Sequence, residues 1–131
     1  MIRATAVLGA DACLLSFEAI GHAASGNHGH DIVCAAFSVL ARTAYRALEG
    51  LPGMGIRGSA PESGSLSFEV FKSATSVERA AGITDFLVVG MGDLARDFPE
   101  AVDFKLNVLG GDEIWHTKAS MAGIPTRNTS A

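Results

Sequence analysis

Hydrophobic and polar positions alternate with two distinct periods along this chain, and the switches between them mark its elements. Ile2–Leu8 is short, apolar and β-branched, which predicts a first strand. Over Cys13–Ile20, Leu15, Phe17 and Ala19 fall on one side and Ser16 and Glu18 on the other, which predicts a second. The Gly9-Ala10-Asp11 link is too short for anything but a turn, so the two should pair as an antiparallel hairpin. From Asp31 the period lengthens: Val33, Phe37, Leu40, Ala44 and Leu48 follow helical spacing, with Arg42, Arg46 and Glu49 on a wetter side. Asp31 is a capping residue type and Gly50 a stop signal, so the spacing predicts a helix over about 31–49.

Leu51–Pro61 is rich in glycine and proline without a clear period and reads as an irregular strand or a turn. Leu66, Phe68 and Val70 alternate cleanly with Ser65, Ser67 and Glu69, the pattern of a strand with one dry face. A second helix is predicted from about Ser76 to Phe98, with Val77, Ala80, Ala81, Leu87 and Leu94 inward. Gly82, Gly90 and Gly92 weaken it and Pro99 ends it. Ala101–Leu109 gives the clearest strand, alternating Val102, Phe104, Leu106 and Val108 with Asp103, Lys105 and Asn107. The order β-β-α-(β)-β-α-β predicts an α/β (α+β) fold: a two-layer mixed sheet of about five strands with two main helices packed on one face.

Composition narrows the function classes. Among 131 residues, 48% are hydrophobic and 18% charged, which suits one well-packed domain, expected over 1–117, rather than a disordered chain. Residues 118–131 are small and polar and are expected to form a flexible tail. The net charge of −4 and the lack of any Lys/Arg run argue against nucleic-acid or anionic-membrane binding. No apolar window approaches the ~20 residues that cross a bilayer, and nothing near Arg3 resembles a secretory signal, so a cytoplasmic protein is expected. Gly90-Met91-Gly92 lacks the remainder of any phosphate- or dinucleotide-binding fingerprint, and no cofactor is expected.

The unusual segment is 21–38. Its first ten residues, Gly-His-Ala-Ala-Ser-Gly-Asn-His-Gly-His, hold three glycines and three histidines. With Asp31 as N-cap, Cys34 would be the third helical residue, where unpaired N–H groups and the helix dipole favour an anionic sulfur. A glycine-rich loop could bring His22 onto that thiol, and Cys with His is the minimal pair for thiolate–imidazolium catalysis. Other readings stand beside it. A cysteine among Ile32, Val33, Ala35 and Ala36 suits a small core position. His22, His28, His30 and Cys34 could together hold zinc, although their spacing matches no common pattern and no metal is expected. A small acidic domain could also simply dock a basic protein partner without catalysis. Cys13, in a strand away from the histidines, reads as packing.

Gly21-His22-Ala23, then Gly29 and the run Asp31-Ile32-Val33-Cys34-Ala35-Ala36-x-Ser38, resembles the signature of the ribosomal-processing cysteine protease family, Prp. The Asp-Ile-Val-Cys-Ala-Ala run is the specific part. The resemblance implies a cysteine endopeptidase with His22 and Cys34 as catalytic dyad and Asp31 and Ser38 as supporting positions. It implies a loop containing Gly21, Gly26 and Gly29 that orders over bound peptide, and a homodimer. The implied substrate is the N-terminal extension of bacterial large-subunit ribosomal protein twenty-seven, cut beside aromatic residues. His28, His30 and the bulky Phe37 depart from the family pattern, which leaves the loop's role and the cleavage preference open.

Overall fold

The computed structural model describes residues 1–21, 28–59, 65–71, 74–109 and 114–116, with backbone alone for 28–31, 74 and 114–116. Strands β1 (Ile2–Leu8) and β2 (Leu14–Ile20) form the expected hairpin. Helix α1 (His28–Glu49) follows, then β3 (Gly55–Ser59) and β4 (Ser65–Phe71). A single 3-10 turn at Ala74–Ser76 leads into α2 (Val77–Asp97), and β5 (Val102–Val108) and β6 (Ile114–His116) end the described chain. The six strands form one mixed sheet in the order β3-β4-β2-β1-β5-β6. The uncertain 51–61 stretch contains the edge strand β3, whose burial is too slight to leave a periodic signature: four of its five residues are exposed. Strand β6, three residues long, is not among the elements the pattern predicts, although it falls within the expected domain, ahead of the expected tail at 118–131.

Strand directions explain why both helices lie on one face. β1 runs antiparallel to β2 and parallel to β5, and β4 runs antiparallel to both β2 and β3. Two parallel crossovers result: β2–α1–β3 steps past β4 in one lateral direction, and β4–α2–β5 steps past β2 and β1 in the other. Their strands also point in opposite senses. Two crossovers of the same right-handed sense, reversed in both direction and step, place their helices on the same side.

The covered face carries the core. Ile2, Ala4 and Ala6 of β1, Phe17 and Ala19 of β2, Phe68 and Val70 of β4, and Val102, Phe104 and Leu106 of β5 are all buried. They meet Val33, Phe37, Ala41, Ala44 and Leu48 of α1 and Ala80, Ala81, Leu87, Met91 and Ala95 of α2. Phe17 is the hub, 6.2 Å from Phe37 and 5.6 Å from Phe68 between ring centroids. Helices α1 and α2 meet at Gly90, where an added Cβ would lie 3.0 Å from both Leu40 methyl carbons. A glycine costly to helix propensity is thus the residue that lets α1 sit down on α2. Buried polar groups at the hairpin are satisfied by α2: Leu14 N–H donates to Thr84 Oγ1 at 2.9 Å, and Thr84 donates to Ala80 C=O at 2.8 Å.

Candidate active site

Strand β2 ends at Ile20, Gly21 turns the chain, and α1 begins at His28, so the start of α1 is tethered within seven residues of the carboxyl end of β2. Beside it in the sheet is the start of β4, with Ser65 opposite Ile20. The Ser65 hydroxyl oxygen is buried and has no hydrogen-bond partner.

Cys34 is half-buried, on the margin of the core rather than within it. Residues at intervals of four, seven and eleven share a helical stripe, so Cys34 lines up with Ser38, Ala41 and Tyr45 along one flank of α1. Ala41 is buried, and Tyr45 packs edge-on against Phe68 of β4, 5.3 Å between centroids. An added Cβ on Gly58 of β3 would come within 2.6 Å of the Tyr45 ring. The flank bearing Cys34 therefore faces the β3–β4 side of the sheet, away from the Leu40–Gly90 contact with α2. Ser38, one turn beyond Cys34, is exposed.

The helix starts earlier than its sequence pattern suggests. With His28 as the first helical residue, Asp31 lies inside α1, and Cys34 is the seventh helical residue rather than the third. An aspartate inside the first turns still profits from the positive end of the helix dipole, and nothing in 28–31 opposes helical geometry as proline would. The consequence for chemistry is real, because the dipole effect fades beyond the first turn. Helical side chains lean toward the N-terminus, so the sulfur sits nearer the first turn than its number implies. Gly29 falls in the first helical turn rather than in a loop.

His22 and Gly26 lie outside the described residues, as do the side chains of His28, His30 and Asp31. The zinc constellation rests on the same residues; among the described residues no cluster of three metal-ligand side chains occurs. Phe37 is settled: it is buried against Phe17, so its bulk is absorbed by the core. Cys13 is fully buried, its thiol donating to the Val77 carbonyl at 3.3 Å, which fits the packing role read from the sequence. Neither cysteine forms a disulfide. Sequence reading missed Tyr45, whose place among the apolar positions of α1 hid its contact with the edge strand.

Residues 1–103, nearly the whole of this scaffold, match the family model for the cysteine protease Prp. The chain belongs to the Prp family. A curated relative, the ribosomal processing cysteine protease Prp of Bacillus subtilis, is 28% identical over 112 residues, covering 83% of this chain and all of the relative. SMU.848 from Streptococcus mutans superposes with a TM-score of 0.69 at 32% identity, covering 82% of this chain and 95% of its own. The ribosomal processing protease Prp from S. aureus, solved with a covalently linked product peptide, gives 0.67 at 22% identity over 82% of this chain and 99% of that one. The family assignment makes this chain a cysteine protease of the ribosomal-processing class. Among the described residues no helix is long and apolar enough to cross a membrane.

Proposed function

We propose that this protein is an endopeptidase that removes the N-terminal extension of bacterial large-subunit ribosomal protein twenty-seven, with Cys34 as nucleophile and His22 as its acid–base partner. The observation that carries the reading is Cys34 itself. Within the family's specific sequence run, it is half-buried near the start of α1, on the flank turned toward the β3–β4 side of the sheet. The S. aureus relative was solved both with a covalently linked product peptide and with a substrate peptide, which fits an extended peptide as substrate.

The Cys34 sulfur attacks the scissile carbonyl, and the bond to the departing amine breaks as His22 donates that amine a proton. Water, with His22 now acting as base, then hydrolyses the thioester and restores the thiol. N–H groups of the first turn of α1 face the developing oxyanion; a donor of this kind is worth ~3 kcal/mol in well-studied proteases. Because Cys34 lies in the second turn, its activation leans on the imidazole more than on the helix terminus. Asp31 and Ser38 support the site, Ser38 from one turn along the same flank. The protein acts in the cytoplasm as a homodimer and needs no cofactor.

The test is a synthetic peptide spanning the extension and the first mature residues, followed by mass spectrometry. Cys34→Ala and Cys34→Ser are expected to give no product above the uncatalysed rate, and His22→Ala to lose at least ~10²-fold in kcat. Undiminished cleavage by either Cys34 variant removes Cys34 from the mechanism. Ser38→Ala, which deletes a supporting group and leaves the dyad in place, is expected to lose no more than about tenfold, within the effect of one neutral hydrogen bond.

A further inference from the structure

At Gly21 the backbone has φ +106°, and a Cβ built there would stand 2.2 Å from the Met1 carbonyl oxygen and 3.2 Å from its carbon. Real Cβ atoms essentially never come within 3.0 Å of such a neighbour, so any side chain at 21 demands a displacement of nearly 1 Å. The first two residues are poorly placed to supply it. Ile2 is 4% exposed, lies opposite Val102 in the parallel ladder, and its N–H donates to the Ala101 carbonyl at 2.8 Å. Ala101 is held in turn by its own N–H to Phe98 C=O at 2.9 Å. The yielding partner is then the chain at 21, the residue bonded directly to His22.

We infer that Gly21 is a positioning residue: the fixed pivot, clamped against the Met1 backbone, from which the chain is aimed so that His22 reaches Cys34. The inference rests on the proposed dyad and adds to it. The glycine ahead of His22 is required less for looseness than for close approach. A 1 Å misplacement of a catalytic group is enough to cost about 10²-fold in rate.

The experiment compares wild type, Gly21→Ala, His22→Ala and the double variant. Each is measured for kcat and KM on the same peptide, for thermal stability, and for the pH profile of Cys34 alkylation by iodoacetamide. A folded Gly21→Ala is expected to lose about 10²-fold in kcat with KM within about threefold. Its alkylation profile should change in the same direction as that of His22→Ala, and the double variant should be no more than about threefold worse than His22→Ala, because both changes disable one group. A folded Gly21→Ala with near-normal kcat overturns the pivot, as does full additivity in the double variant. A Gly21→Ala chain that does not fold assigns the glycine to the fold rather than to His22 and overturns the inference too. Loss in Gly21→Ala beside an unimpaired His22→Ala overturns the dyad instead.

Discussion

At the scale of single residues, backbone geometry separates two small side chains in the same hairpin. Ala12 has φ 65°, a left-handed conformation that a Cβ disfavours. It is held there by a closed turn: Ala12 N–H donates to Gly9 C=O at 3.0 Å, Gly9 N–H to Cys13 C=O at 2.9 Å, and Cys13 N–H to the Asp11 carboxylate at 3.1 Å. Ala12→Gly should therefore stabilise the protein by ~0.5 kcal/mol, the relief of left-handed strain outweighing the added freedom of the unfolded chain. A urea midpoint that falls instead would show that the turn tolerates alanine without strain. Cys13, next in the chain, is sealed, whereas Cys34 is half-open. Iodoacetamide should accordingly modify Cys34 in the native protein and reach Cys13 only on unfolding, which peptide mapping resolves.

At the scale of elements, Thr84 ties α2 to the hairpin by accepting from Leu14 N–H while donating to its own helix. Thr84→Val keeps the shape and orphans a buried backbone donor, so it should cost ~1–3 kcal/mol in denaturant unfolding. A loss below ~0.5 kcal/mol would mean that Leu14 N–H finds another acceptor. The elements legible in the sequence are those whose burial is one-sided: β1, β2, β4 and β5 alternate in and out, and α1 and α2 repeat at helical spacing. β3 was blurred because its burial is slight, and β6 because three residues cannot display a period. The start of α1 was missed because Asp31 is a good cap in a place that does not need one, three residues inside the helix. In the candidate site, the family motif around Cys34 could be read from residue types and order. The clamp on Gly21 could not, since its partner is the backbone of Met1, twenty positions away.

At the scale of the molecule, Phe17 joins the layers, touching Phe37 of α1 and Phe68 of β4 from a fully buried position in β2. Phe17→Ala should cost ~3–5 kcal/mol, a large share of the ~5–15 kcal/mol that holds a domain of this kind together. Thermal melting checks it; a change in Tm of less than about 3 °C would mean that the surrounding aromatics close the gap.

The parallel pairing of β1 with β5 has a consequence for how the protein comes into being. β1 is an interior strand, yet one of its two neighbours spans Val102–Val108, so a nascent chain still inside the ribosome presents β1 as a raw edge. At a synthesis rate of ~5–20 residues per second, that edge waits several seconds for its mate. Translation intermediates halted before residue 102 should bind chaperones or aggregate through the sequence Ile2–Leu8. Because the Met1 carbonyl that packs against Gly21 immediately precedes β1, proteolytic competence should appear only after the last third of the chain has emerged.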